Sequence, residues 1–413
     1  MRSTKLISDS MRVLSGEQKG FFTSSWYRGM AGGLRSLETL TKDFAAEVFF
    51  DMEFNYPGSR FGGSQQMAKD LRTRPYMLAY RLKTGGTMSL NEGLILQQEA
   101  TWNAMRSNIK DFMSRHGKDA LSFDELERVI KRARAEFATT KGNVIKTSDI
   151  LGTKSLPYKL LGKLPTHIYR NDGSAVLAFA KNIYKNVGQD ANVLFAGHNI
   201  NEADIPILHE AADREIREMK KVQRKPPAAL LRLFEDTSSE ALLSKHNFMD
   251  TYTLGRIATS HSPTPLGLTD LFDTLISEQA APHSRFITEK MTTQEFFKHL
   301  GTEIKSNNSS GITKLLDGLP KSLKANILTW LESDKRGLLK VISEGTHHMQ
   351  GFDVGASALL RDLLSDQMVD MKFYKPLQYE NMIKIGTIAK EIEKGRYQPW
   401  HTPIDNLSQI DLY

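Results

Sequence analysis

The stretch Ala45–Phe54 (AAEVFFDMEF) sets a short apolar run directly before two acids. Val48, Phe49 and Phe50 are β-branched or aromatic, the composition of a buried strand, and the run is too short to fill a helix. Side chains at i and i+2 of a strand share one face, so Asp51 and Glu53 project together from the strand's end. Two acids at the edge of an apolar sheet repel each other unless a cation neutralises them. The plainer alternative is a solvated strand end, because Asp-x-Glu triplets are common by chance.

Working outward, Arg74–Lys83 (RPYMLAYRLK) and Thr87–Leu96 (TMSLNEGLIL) flank Thr84-Gly85-Gly86. Two aliphatic and aromatic runs around a Gly-Gly pair predict a β-hairpin, and with the first strand they predict an antiparallel meander. Residues 98–185 read as largely helical. Within them Ser122-Phe123-Asp124-Glu125 has the form of a capping box, followed by Leu126, Val129, Ile130, Ala133 and Phe137 at helical spacing. A further strand, Asn192–Gly197 (NVLFAG), leads into His198-Asn199. After it Ile205, Leu208, Ala212, Ile216 and Met219 mark one helical face, which ends in the basic cluster Lys220–Lys225. Ser239–Lys245, Leu266–Leu275 and Val354–Leu364 also read as helices, and Asn307–Gly311 (NNSSG) as a loop.

Composition narrows the chemistry. With 413 residues, 40% hydrophobic and 25% charged, the chain reads as a globular protein of one large domain or two ordinary ones. No apolar run approaches the ~20 residues of a membrane-spanning helix, and the first thirty residues lack the continuous apolar core of a secretory signal. A soluble, intracellular protein without a membrane partner is therefore expected. Arg2, Lys5, Arg12, Lys19 and Arg28 leave two readings of the N-terminal segment, an organelle-targeting peptide or a flexible basic arm. The absence of cysteine excludes disulfides, thiolate nucleophiles and every Cys-ligated zinc or iron–sulfur site. Any metal must be held by Asp, Glu or His, and oxygen-rich sites favour Mg²⁺ or Mn²⁺. The formal charge of +7 suits a polyanion such as nucleic acid, although many basic proteins bind none.

Two further segments carry acids in telling contexts. Gly197-His198-Asn199 turns from a strand towards Asp204 at the start of an apolar-faced helix, where capping by Asn201 or Asp204 is the competing explanation. His347-His348 precedes a helix beginning near Phe352, with Asp353 on its first turn. A histidine titrating near neutrality can take a proton from water, and a surface His pair is the alternative.

In this order the three segments resemble the DEDDh (DnaQ-like) 3′-to-5′ exonuclease family of the ribonuclease H-like superfamily. Its apolar strand ending in Asp-x-Glu matches Phe49-Phe50-Asp51-Met52-Glu53. Its His-Asn followed by Asp matches His198-Asn199 and Asp204, with the longer spacing of the three-prime repair exonucleases. Its final His and Asp match His348 and Asp353, and Asp250-Thr251 resembles the Asp-Thr stretch that precedes that motif in many members. Where many members carry Thr-Thr-Gly after the first motif, this chain has Phe54-Asn55-Tyr56.

The resemblance implies an α/β fold, a ribonuclease H-like mixed sheet flanked by helices. It implies an N-terminal extension over 1–42, a core over 43–370 with mainly helical insertions around 98–170 and 276–340, and a C-terminal extension over 371–413. It implies two Mg²⁺ or Mn²⁺ ions held by Asp51, Glu53, Asp204 and Asp353, with His348 as general base and His347 as its neighbouring competitor. It implies hydrolysis of single-stranded nucleic acid from 3′ ends to nucleoside 5′-monophosphates, with the second-motif spacing inclining towards DNA over RNA. Phe54, Tyr56, Arg60 and Asn199 are the candidates for gripping the substrate; for Phe54, core packing is the favoured alternative. Competing readings are a catalytically silent module of the same fold that binds nucleic acid or serves assembly, and an unrelated helical interaction protein. No oligomer interface is legible.

Overall fold

The computed structural model describes residues 36–40, 42–55, 74–96, 123–151, 165–188, 191–200, 204–234, 247–258, 267–344, 350–377, 379–380, 383–384 and 387. They form an α/β protein with one seven-stranded mixed sheet flanked by helices. The strands are β1 (Ala46–Asn55), β2 (Arg74–Thr84), β3 (Thr87–Ile95), β4 (Val144–Lys146), β5 (His167–Tyr169), β6 (Val193–Gly197) and β7 (Asn247–Asp250). Their order across the sheet is β4-β5-β3-β2-β1-β6-β7.

As the sequence predicts, β1, β2 and β3 form an antiparallel meander, and Gly85 takes a φ of 56° in the turn between the last two. On the other side of β1, β6 and β7 run parallel to it. β1 thus stands at the boundary between the antiparallel and parallel parts of the sheet.

The helices around the sheet are, in chain order, α1 (Phe123–Thr139), α2 (Thr147–Leu151), α3 (Asp172–Val187), α4 (Asp204–Lys221), α5 (Ala228–Phe234), α6 (Thr251–Ala258), α7 (Leu268–Gln279), α8 (Arg285–Thr288), α9 (Thr293–Lys305), α10 (Ser309–Leu316), α11 (Lys321–Ser333), α12 (Lys335–Glu344) and α13 (Gln350–Tyr374). Among the described residues, no helix is long and apolar enough to cross a membrane.

Alternation along β1 divides the core into two layers. Val48, Phe50 and Met52 pack with Leu78, Tyr80 and Phe195 against α3, α4 and α5. Phe49 packs on the opposite face with Ala79, Leu194 and Ala196 against α13, the central helix of an assembly that includes α6, α7 and α9–α12. Val129, Ile130, Ala133 and Phe137 of α1 cover Leu94 and Ile168 at the β3–β5 flank. Val129, Ile130, Ala133 and Phe137 of α1, and Ile205, Leu208, Ala212, Ile216 and Met219 of α4, go inside as their helical spacing predicts.

A buried polar lattice seats the helical assembly on the sheet. Arg81 is fully buried, lies 4.0 Å from the centre of the Trp330 ring, and donates to Asn326 at 3.0 Å. Asn326 donates in turn to Asp362 at 2.8 Å, and Arg361 pairs with both Asp362 and Glu47, at 2.8 and 3.2 Å. Lys340 pairs with Glu92, tying α12 to β3. Breaking a buried charge pair from one side costs about 3–5 kcal/mol, so these contacts pin α11, α12 and α13 in register with the strands.

Two expectations need correcting. The region around 98–170, expected to be a mainly helical insertion, also contributes β4 and β5, which extend the sheet beyond β3. Three-residue strands are too short to show a period of two, so pattern reading passes over them. Asn307–Gly311 is not wholly loop either. Asn308 accepts the N–H of Gly311 and α10 begins at Ser309, so the polar run is in part a helix start. The helix expected over Ser239–Lys245 and the capping residue Ser122 lie outside the described residues.

Candidate metal centre

The α13 face of β1 changes character along its length: Phe49 is buried in the core, and Asp51 and Glu53 follow on the same side. At that level α13 begins, with Asp353 in its first turn. Asp51, Glu53 and Asp353 each present a carboxylate oxygen within 4.8 Å of the others.

Asp204 reaches the same place from the parallel side of the sheet. β6 pairs with β1 only as far as Phe49 opposite Ala196. Beyond that point the N–H of Met52 is taken by Asp204 Oδ1 at 2.8 Å. Asp204 is buried at 6% exposure and lies in the first turn of α4. Its own backbone N–H favours the charged form of the carboxylate, and burial outweighs that effect. Both helix-borne acids sit at helix N-termini, where the backbone dipoles favour negative charge.

The turn between β6 and α4 is clamped from β7. Asn199 has a φ of 61°, and its N–H donates to Asp250 at 2.8 Å. Asp250 also accepts the N–H of Tyr252 at 2.9 Å. Thr251 donates to the carbonyl of Gly197 at 3.0 Å, and its hydroxyl lies 3.1 Å from His198 Nδ1. A side chain at Gly197 would place its Cβ 2.6 Å from the carbonyl oxygen of Phe50, so the approach of β6 to β1 requires glycine there.

All four carboxylates are pushed away from ionisation, and in each case burial is the leading cause. For Asp51, burial and then Asp353 raise the value from 3.8 to about 8, opposed by a hydrogen bond from the Met52 backbone. For Glu53, burial and then Asp51 raise it from 4.5 to about 8, opposed by the Tyr76 hydroxyl. Asp353 rises to about 7 through burial and Glu53. Asp204 lies well above its ordinary value through burial, Asp51 and Glu53. The charged neighbours responsible are members of the same set. Such a cluster holds protons near neutrality until a cation displaces them. Its donors are all oxygen, the set that suits Mg²⁺ or Mn²⁺.

No known family model, curated protein or solved structure matches the chain. The functional reading therefore rests on the residues themselves. Of those expected from sequence, Asp51, Glu53 and Asp353 are brought together and Asp204 joins them through Met52. His347, His348, Tyr56 and Arg60 lie outside the described residues. Phe54 is half-buried and packs against the α3–α4 core, as its core-packing alternative expects. The Asn199 side chain is exposed, while its backbone holds the turn. The basic cluster Lys220–Lys225 lies at the far end of α4, an 18-residue helix about 27 Å long, well away from Asp204. Sequence reasoning missed Tyr76, whose hydroxyl donates to Glu53 Oε2 at 3.4 Å. It also missed Arg128, Lys131, Arg132 and Arg134, exposed on α1, which flanks the same face of the sheet.

Proposed function

We propose that this protein is a metal-dependent 3′-to-5′ exonuclease of the DEDDh type, built on a ribonuclease H-like sheet. The observation that carries the reading is the convergence of acids from three distant segments: Asp51 and Glu53 on β1, and Asp204 and Asp353 in the first turns of their helices. A cluster of surface acids without a task does not require three elements to meet.

The position in the sheet supports the same reading. In open α/β sheets, ligands bind beyond the carboxyl ends of parallel strands, where neighbouring connections leave in opposite directions and open a crevice. β1, β6 and β7 are parallel, β2 pairs with β1 on the other side, and Asp51 and Glu53 lie in the carboxyl half of β1, past the end of its pairing with β6.

Asp51, Glu53, Asp204 and Asp353 would hold the divalent ions. Ions held there would lower the pKa of a coordinated water and offset charge on the leaving oxygen. The four carboxylates would set where a phosphodiester could lie. His348, just before α13 in sequence, is the residue assigned to take the proton from the attacking water. The cations of α1 supply attraction for a polyanion that the acidic centre alone would repel. The products are nucleoside 5′-monophosphates.

The test is release of mononucleotides from a 3′-labelled single strand in Mg²⁺ or Mn²⁺, with DNA and RNA of matched sequence side by side and Asp51→Ala as control. Release that needs metal and Asp51 supports the proposal. A folded protein that releases nothing with either metal leaves a silent nucleic-acid-binding or assembly module as the better account.

A further inference from the structure

β1 and β2 keep strict register from Glu47 opposite Lys83 to Glu53 opposite Met77, and then slip: Phe54 lies opposite Pro75. Tyr76 is the residue left over. Such an extra residue is a β-bulge, which interrupts the ladder and re-aims the side chain it carries.

The consequence is visible in where Tyr76 goes. Strict alternation would place it with Leu78 and Tyr80, which pack against α3 and α4 on the far face. Instead its ring is buried at 4% exposure with Leu94, Val129 and Ile168 under α1, on the face that carries Asp51 and Glu53. There its hydroxyl donates to Glu53 Oε2 at 3.4 Å. Without the slip, that hydroxyl would lie on the wrong side of the sheet.

We infer that Tyr76 is a positioning residue of the acidic centre, turned by the bulge so that its hydroxyl holds the Glu53 carboxylate facing Asp51 and Asp353. The inference rests on the reading of these acids as cation ligands and deepens it. A glutamate has three side-chain torsions, and each must be fixed before its oxygen can serve a metal; a donor on a buried, rigid ring supplies that constraint. Outer-sphere partners of this kind typically contribute 10–100-fold to metal affinity.

The experiment is Mn²⁺ binding by calorimetry to the full chain as wild type, Tyr76→Phe and Val129→Ala, with melting temperatures measured in chelator. Tyr76→Phe keeps the ring and removes the donor. Val129→Ala disturbs the same apolar cluster and leaves the hydroxyl in place. The expected result is about tenfold weaker Mn²⁺ binding for Tyr76→Phe with its melting temperature held, and a lowered melting temperature with unchanged affinity for Val129→Ala. Wild-type affinity in Tyr76→Phe overturns the inference while leaving the metal centre standing. So does an equal loss of affinity in Val129→Ala, since packing and not the hydroxyl would then be responsible. Failure of the wild type itself to bind Mn²⁺ overturns both the inference and the reading beneath it.

Discussion

Asp204 accepts the backbone N–H of Met52 at 2.8 Å, so the residue between the two strand acids is tied directly to the helix that brings the third. This bond has two separable parts, an acceptor and a charge. Asp204→Asn keeps an oxygen that can accept from Met52 and removes the negative charge. It should leave the cation-free melting temperature unchanged or higher and abolish measurable cation binding. Asp204→Ala also removes the acceptor, leaving a buried N–H without its partner at a cost of about 1–3 kcal/mol. Thermal melts with and without Mn²⁺ distinguish the two variants, and identical behaviour would contradict the assignment.

The raised carboxylates predict a pH dependence with a definite sign. Asp51 moves from 3.8 to about 8, Glu53 from 4.5 to about 8 and Asp353 from 3.8 to about 7 on folding without metal. A group raised on folding stabilises fully below its unfolded value, and that stability is lost as pH rises through the folded value. The melting temperature of the cation-free protein is therefore expected to fall between pH ~4 and pH ~8, as the cluster is forced to ionise. Millimolar Mn²⁺ should flatten the slope by replacing the protons. Asp51→Asn should reduce the slope and make it insensitive to Mn²⁺. A cation-free protein whose stability rises steadily across this range would show that these acids are not held near neutral.

At the β6–α4 turn, Gly197→Ala would force a Cβ against the Phe50 carbonyl, 2.6 Å away. Overpacking of this kind costs about 1–3 kcal/mol. Because Gly197 leads into the turn that starts α4, the same change should move Asp204 and weaken cation binding. Asp250→Ala should act similarly by freeing the N–H groups of Asn199 and Tyr252. Denaturant unfolding and Mn²⁺ titration of each variant check the link. Lost stability with full cation affinity would show that the turn does not position Asp204.

How much of the molecule is legible in its sequence depends on length and locality. β1 declares itself because three apolar residues precede its acids, and the hairpin because a Gly-Gly pair separates two long runs. The facing of Asp51 and Glu53 follows from strand alternation alone. β4 and β5 stay hidden because three residues carry no period and their pairing with β3 is a long-range event. Tyr76 is invisible for a deeper reason: alternation assigns it to the wrong face, and only the pairing register of β1 with β2 reveals the slip. Asp250 stands out through the resemblance, and its hydrogen bonds to the Asn199 turn become apparent only with β7 placed beside β6.

The cations of α1 predict an electrostatic contribution to substrate binding that is separate from the metal centre. Arg128, Lys131 and Arg132 are exposed on the helix that flanks the site face. Replacing all three with glutamine should weaken binding of a single-stranded oligonucleotide and lower its salt dependence, by roughly 0.7 in the log–log slope for each phosphate no longer neutralised. Fluorescence anisotropy across a salt series, in chelator, measures this. An unchanged slope would place the substrate elsewhere.

The most direct measurement is anomalous diffraction from crystals soaked in Mn²⁺. Density peaks for manganese are expected among the carboxylates of Asp51, Glu53, Asp204 and Asp353, and they should vanish in Asp51→Asn. Crystals that take up manganese elsewhere, or that show the four acids ion-free at saturating Mn²⁺, would contradict the account.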